Sequence, residues 1–122
     1  RLAYCVVGEQ RLAILRELLE QGTRLSFCVD TMDGARAASS YFSAHGLTAE
    51  VLIELDTGYG RCGVKWNDAD LPRFAAEVAQ LPGLHLAGVL THAGHSYGCR
   101  STAAMEAVHL AQAAVISAAV AA

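Results

Sequence analysis

Residues that could do chemistry are concentrated in two short segments of the sequence, and the first of them is rich in glycine. Residues 56–63 read DTGYGRCG, with glycines at positions 58, 60 and 63 around Arg61. Glycine lets the backbone approach a ligand closely, and the Arg61 guanidinium offers a planar set of donors for an anionic oxygen. The simpler alternative is a structural loop in which Arg61 forms an ion pair with Asp56 or Glu54.

The second segment, residues 91–97 (THAGHSY), contains His92, His95 and Tyr97. Such a set could bind a metal, stack on a ring or transfer protons. Both histidines come from a loop, no carboxylate follows nearby, and Cys99 fits no known ligand spacing. We therefore predict ring stacking or hydrogen bonding here, and no metal site in this chain.

Four apolar runs predict the strands that position these segments: residues 2–7, 25–29, 51–55 and 85–90. Helically spaced apolar residues lie between them, and Gly22, Gly46 and Gly83 follow these helices as C-terminal caps. Asp33 and Ser101 are predicted N-caps, and Pro72 suits a first helical turn. A last helix runs from residue 102 to the chain end.

Alternating strands and helices predict an α/β fold with a parallel sheet, in sequential strand order and with the helices on the outer face. About 30 residues per unit make the chain about half of a (β/α)8 TIM-type barrel, and an open flavodoxin-like sheet is the alternative. Both folds bind ligands at the carboxyl ends of their strands. We thus expect Asp30, Arg61 and His92 to meet at one rim, although Asp30 could instead cap a loop.

Composition restricts the class of protein further. The 122 residues are 53% hydrophobic, carry a net charge of −3 and contain no cluster of basic residues, so we expect one packed domain and no nucleic-acid partner. The apolar run at 113–122 is about half of a membrane span, which predicts no membrane association. Four cysteines without a C-x-x-C pair predict free thiols and a cytoplasmic location.

The two motifs together resemble a known family. ELDTGYGRCGV followed by GVLTHAGHSYG is similar to the barrel domain of fold type III pyridoxal phosphate enzymes, which include alanine racemase and the D-threonine aldolase and D-serine dehydratase branch. The resemblance implies that Arg61 reaches the ring oxygen of the cofactor and that His92 packs on the pyridine face. His95 and Tyr97 resemble the dehydratase-like continuation of that loop, and we add them to the cofactor-binding set.

The resemblance also implies what this chain lacks. Residues 1–122 correspond to strands two to five of the barrel, so the Schiff-base lysine at the end of strand one precedes the chain, and its catalytic residues are unknown. Lys65, the single lysine, matches no lysine of the family pattern. The divalent metal of the aldolase and dehydratase branch lies on a separate C-terminal domain.

The function that the resemblance implies is that of a D-amino-acid lyase, with a small D-amino acid as substrate and a homodimer as the assembly. The 122 residues alone are expected to be inactive. An amino-acid racemase and a non-catalytic pyridoxal phosphate-binding barrel are the alternatives. A further, structural alternative is that the chain binds nothing and pairs with another copy of itself.

Overall fold

The fold alternates helices and parallel strands along the chain. The structure, a computed structural model, describes residues 1–121. Its elements are α1 (Glu9–Glu20), β1 (Ser26–Val29), α2 (Met32–Ala44), β2 (Ala49–Asp56), β3 (Val64–Lys65), α3 (Leu71–Ala79), β4 (Leu84–Thr91), a 3-10 helix (Gly94–Gly98) and α4 (Thr102–Ala121). This is the predicted α/β class.

Strand β2 is the centre of the sheet. On one edge it pairs with β1, with Phe27 opposite Val51, and on the other edge with β4, with Ile53 opposite Val89. The short strand β3 continues the β1 edge, where Val64 pairs with Leu55. All these pairs are parallel, and β1, β2 and β4 follow one another in sequential order, as the barrel interpretation predicts.

The main core lies between one face of the sheet and the helices. In β2 the core residues are every second residue, because successive side chains of a strand point to opposite faces. They pack against apolar side chains of α1, α2 and α3, among which Leu15, Phe42 and Val78 are buried. The predicted layer of helices on one face is therefore present, and the opposite face of β2 carries Leu52 and Glu54.

A β-bulge keeps β4 in step with this alternation. Between Leu86, which pairs with Val51, and Gly88, which pairs with Leu52, β4 contains one extra residue, Ala87. Gly88 has a φ of 141°, which glycine adopts at little cost. Val89 is thereby returned to the helix-facing core together with Leu86.

The predicted strand at residues 2–7 is wrong as a strand, although its place beside β1 is right. It forms one isolated parallel bridge, Cys5 with Cys28, and the Leu2 amide donates to the Ser26 carbonyl at 2.8 Å. Tyr4 and Val7 are exposed. Within residues 1–121 this segment pairs with β1 at that one bridge, so it lacks the consecutive pairs that make a strand.

The helix caps follow local hydrogen bonding. Gly22 and Gly46 have positive φ after α1 and α2, as predicted. Asp33 is not the N-cap of α2: Thr31 is, because its hydroxyl accepts from the Gly34 amide at 3.2 Å. The Ser101 hydroxyl accepts from the Ala104 amide at 3.2 Å, which confirms the predicted cap of α4.

Helix α4 is longer and more apolar as a unit than the run at 113–122 indicated, and position 122 lies outside the described residues. Its 20 residues include a window of mean hydropathy 1.5, so by length and composition alone it could cross a membrane. Glu106 and His109 interrupt the apolar pattern without ending the helix. The absence of a membrane partner stays a prediction.

Two glycines with positive φ separate backbone strain from steric clash. Gly46→Ala adds a methyl group into open space at φ +65°, whereas Gly83→Ala at φ +72° also places it 2.7 Å from the Ser43 amide nitrogen. We expect Gly46→Ala to cost about 1 kcal/mol of unfolding free energy and Gly83→Ala clearly more. Urea unfolding of both variants measures this, and equal losses would contradict the packing at Ser43.

Candidate functional site

The polar edge of the sheet is organised by the carboxylate of Asp56, the last residue of β2. Its Oδ1 accepts from the amides of Gly58 at 2.9 Å and Gly60 at 3.0 Å. These backbone donors favour the charged form, so they hold the pKa of Asp56 below its usual range. The carboxylate therefore folds the glycine segment into a tight turn at the end of the strand.

The other end of this segment is tied to β1. The Gly63 amide donates to Asp30 Oδ2 at 3.2 Å, and Asp30 directly follows β1. Gly63 has a φ of +101°, and an added Cβ would lie 2.7 Å from the Asp56 amide nitrogen. Glycine is thus required here for both conformation and space. Asp30 is the loop-capping residue that the simpler alternative predicted.

Four aromatic rings and one guanidinium form what we call the ring cluster: Tyr4, Tyr59, Arg61, His92 and Tyr97. The Arg61 Cζ lies 5.2 Å from the ring centroid of Tyr4 and 5.5 Å from that of Tyr59. The Tyr59 ring lies 5.9 Å from the His92 ring and meets it edge to face. The Tyr97 hydroxyl and His92 Nε2 are hydrogen-bonded at 3.0 Å. The glycine segment and the loop after β4 therefore share one surface.

Close packing and two hydroxyl contacts fix these loops against each other. A Cβ on Gly94 would overlap the Tyr59 ring, so a side chain at this position would force the ring to move. Thr91 donates to the Leu55 carbonyl at 2.7 Å, and its oxygen lies 2.9 Å from the Thr57 hydroxyl. Gln112 of α4 also donates to the Thr57 hydroxyl, which links the last helix to the site.

A buried carboxylate lies under the ring cluster. Glu54 is 2% exposed, and it accepts from the thiols of Cys62 at 3.0 Å and Cys5 at 3.4 Å. Arg61 Nη2 lies 3.9 Å from its Oε1. Burial and nearby carboxylates raise the pKa of both thiols, because they disfavour the thiolate. Arg61 therefore does form the Glu54 ion pair of the simpler alternative, and it lies at the ring cluster as well.

The predicted site residues do not all come together. Arg61, His92 and Tyr97 belong to the ring cluster, and Asp30 supports it through Gly63. His95 lies in the 3-10 helix, and its Nδ1 is buried without a hydrogen-bond partner among the described residues. No hydrogen bond or ring pair among residues 1–121 joins His95 to the cluster. Whether any of these residues binds the cofactor stays a prediction.

Sequence reasoning missed three members of this region: Tyr4, Tyr59 and Glu54 as a buried residue. Tyr59 had a usable signal, since it is the one aromatic residue in the glycine segment. Glu54 had one too, because it is a charge inside an otherwise apolar strand, and such a charge is buried only with partners. The sequence contains no signal for Tyr4, because Arg61, the side chain that its ring contacts, lies far away along the chain.

Comparison with known proteins places the chain in a family. The family described as "Alanine racemase, N-terminal domain" matches residues 5–122. The chain is 36% identical over 89 residues to the D-threonine aldolase of Arthrobacter sp and 34% identical over 102 residues to the D-threo-3-hydroxyaspartate dehydratase of a Delftia species. These matches cover 73% and 84% of this chain but 23% and 27% of the relatives, so the chain spans about a quarter of their length.

Solved structures also superpose on this chain. The D-threonine aldolase from Filomicrobium marinum superposes with a TM-score of 0.84 at 33% identity, over 95% of this chain and 31% of that one. An alanine racemase from Clostridium difficile superposes with a TM-score of 0.58 at 16% identity, over 93% of this chain and 29% of that one, which shows the fold alone. In sequence, the alanine racemase of Chlorobaculum tepidum is 37% identical over 82 residues, which are 64% of this chain and 19% of that protein.

The fold, the two motifs and these matches define one class of protein. This chain belongs to the alanine racemase N-terminal domain family, and its structural neighbours are fold type III pyridoxal phosphate enzymes. The resemblance inferred from the two motifs is thereby confirmed. The chain is similar to the barrel part of that fold, with parallel strands alternating with helices.

The turn at Asp56 predicts a pH-dependent contribution to stability. Asp56→Asn keeps an acceptor but loses the charge, so we expect the free energy of unfolding at neutral pH to fall by about 1 kcal/mol. Because the pKa of Asp56 is lowered on folding, the advantage of the wild type is present above the usual aspartate pKa and lost as the pH falls through the folded value.

Urea unfolding between neutral and acidic pH checks this. Asp68→Asn is the matched control, since Asp68 is an exposed loop aspartate that accepts a single amide hydrogen bond, from Asp70. A difference between wild type and Asp56→Asn that stays constant down to the lowest pH would contradict the role of the charge.

Proposed function

We propose that the full-length protein containing this chain is a pyridoxal phosphate-dependent D-amino-acid lyase, similar to D-threonine aldolase or to D-serine dehydratase. The observation that carries the proposal is the likeness to D-threonine aldolase over almost the whole chain, at a TM-score of 0.84 and 33% identity. The ring cluster supports it, because it lies where parallel α/β barrels hold their ligands.

The side chains of the ring cluster fit the ring portion of this cofactor. Pyridoxal phosphate has a flat aromatic ring with an anionic oxygen, and the cluster offers a guanidinium with planar donors and an imidazole beside two phenol rings. Arg61 is partly exposed, with 38% of its side chain accessible, so its donors are open to a ligand. We assign Arg61 to the ring oxygen and His92 to the ring face.

Tyr97 orients His92 in this arrangement. The contact between the Tyr97 hydroxyl and His92 Nε2 at 3.0 Å restrains the rotation of the imidazole, and Tyr59 packs against its edge. A ring held on two sides is preorganised for stacking, which lowers the cost of ordering it on binding. When bound, the cofactor acts as an electron sink for the substrate's α-carbon. We keep His95 as a more remote member of the set.

The covalent attachment of the cofactor depends on residues outside this chain. Lys65 lies in β3, on the β1 edge of β2, and is exposed. Within residues 1–121 no three His, Cys, Asp or Glu side chains come together to hold a metal ion. On the family resemblance, the proposal places the reactive lysine on the preceding barrel strand and the divalent metal on a C-terminal domain.

An amino-acid racemase is the second candidate, because an alanine racemase matches part of this chain in sequence. The lyase is favoured because its relatives match a larger share of this chain, 84% for the dehydratase against 64% for the racemase. As partners we propose a small D-amino acid and a second copy of the full-length protein. All four cysteines are free, which supports a cytoplasmic location.

A substrate panel on the full-length protein tests the proposal. We expect cleavage or dehydration of D-threonine, D-serine or a D-hydroxyaspartate, and no racemisation of alanine. Arg61→Leu should lower kcat by about 10-fold or more while cofactor content changes less, because Arg61 acts on the ring oxygen and does not anchor the ring. His92→Ala should lower cofactor retention.

Matched controls are available for both substitutions. Arg73→Leu removes an exposed arginine on α3, and His85→Ala removes an exposed histidine on β4. Both should leave turnover and cofactor absorbance unchanged. Full activity in Arg61→Leu would refute the assignment of Arg61 to the ring oxygen of the cofactor. Alanine racemisation without lyase activity would favour the amino-acid racemase.

The position of the reactive lysine gives an independent prediction. Reduction of the loaded full-length protein with borohydride, followed by peptide mapping, should label a lysine about 30 residues before Leu2, one strand and helix upstream. The chain 1–122 alone should show no labelling and no turnover. A label on Lys65, or on a lysine after position 122, would show that the assigned barrel register is wrong.

A further inference from the structure

Glu54 is a buried charge in the middle of a strand, and no step above uses it. It lies on the face of β2 opposite the helices and is 2% exposed. Burying a carboxylate is costly unless it is hydrogen-bonded and paired with an opposite charge. Its surroundings must therefore supply both.

The hydrogen bonds and the opposite charge that Glu54 requires come from different side chains. Cys62 donates to Oε1 at 3.0 Å and Cys5 to Oε2 at 3.4 Å, but thiols are weak donors. Among the contacts of Glu54 within the described residues, Arg61 is the one cation, with Nη2 3.9 Å from Oε1. The favourable charge interaction of this carboxylate is thus directed at one side chain.

Arg61 has few other restraints. Among the described residues its other contacts are the neighbouring Cys62 side chain and the two tyrosine rings, 5.2 and 5.5 Å from its Cζ, and ring contacts of this kind allow a guanidinium to slide. Its backbone lies in a glycine segment, between Gly60 and Gly63. A long, partly exposed side chain on such a segment loses considerable rotamer entropy when it is held in one place. The attraction to the Glu54 carboxylate therefore selects one orientation of the Arg61 side chain among many.

We propose that Glu54 is a positioning residue, which holds the Arg61 guanidinium against the tyrosine rings of the ring cluster at the polar edge of the sheet. The consequence for the reaction rests on the proposed function, whereas the positioning itself does not. A carboxylate is needed because a glutamine amide would turn a donor toward partners that are themselves donors. The raised pKa of Cys5 and Cys62 agrees with this, since protonated thiols can donate to Glu54. Asp30 is the other carboxylate facing Cys5.

The first test needs no cofactor. In cofactor-free full-length protein, the rate at which phenylglyoxal modifies Arg61 is followed by peptide mass spectrometry. Glu54→Gln should raise that rate roughly two- to fivefold, the range expected for loss of a partly exposed ion pair. Glu50→Gln, on the same face of β2 but near its start, is the matched control, and Arg73 is the internal reference in every sample.

Conservative variants separate positioning from a general loss of structure. Glu54→Asp retains the charge on a shorter side chain and should restore part of the protection of Arg61, whereas a purely steric role would leave Arg61 protected in the isosteric Glu54→Gln and exposed in Glu54→Asp. If Glu54→Gln does not fold, as judged by circular dichroism, the same comparison is made between Glu54→Asp and Cys62→Ala. The first should expose Arg61 more than the second, because the shorter aspartate moves the opposite charge away from Arg61, whereas Cys62→Ala leaves that charge in place. Unchanged Arg61 reactivity in folded Glu54→Gln, or in Glu54→Asp where Gln fails to fold, overturns the proposal.

A second test links the pair to catalysis. In the loaded protein, Glu54→Gln should lower kcat more than it raises KM, and it should have little further effect in an Arg61→Leu background, because the two residues act through one contact. Equal effects in both backgrounds would overturn the proposal. A full-length protein that binds no pyridoxal phosphate would refute the proposed function, while the phenylglyoxal measurement would still test the positioning.

Discussion

The parallel pairing of β2 with a strand on each of its edges is the constraint on which the structure depends. Parallel strands that share a register end at the same edge of the sheet, so the loops after β1, β2 and β4 emerge side by side. Asp30, Arg61 and His92 are far apart in sequence, and each follows a different strand. Their grouping is thus a consequence of backbone hydrogen bonding, and the side-chain contacts of the ring cluster refine it.

The two faces of β2 have different tasks. The face toward the helices contributes alternate apolar residues to the main core, and each fully buried side chain of the size of leucine or isoleucine stabilises the fold by about 1.5–3 kcal/mol. The other face carries Glu54 and leads into the turn at Asp56. Because the first face already holds the sheet on its helices, the second can accommodate a buried charge; in a (β/α)8 barrel the helices form the outer ring, so this second face points inward.

The fold could be predicted from the sequence to a large extent, since apolar runs of four to eight residues report burial directly. The ends of the chain were less predictable. Residues 2–7 have the composition of a strand, but strand formation requires neighbours, and one edge provided a single bridge. The two-residue strand β3 is too short for any periodicity, so no sequence pattern predicts it.

The candidate site divides in the same way. Residue types and spacing by themselves determined the glycine segment, the histidine loop, and Arg61 and His92 as the residues of interest, and the resemblance of the two motifs to known sequences indicated the family. The tertiary structure decided that Tyr97 joins them while His95 does not, and that Tyr59 and a buried Glu54 complete the region. The physical reason is that a side chain's partners across the sheet are set by strand register and loop closure, which depend on residues distant in sequence, whereas glycine conformations and apolar alternation are local properties.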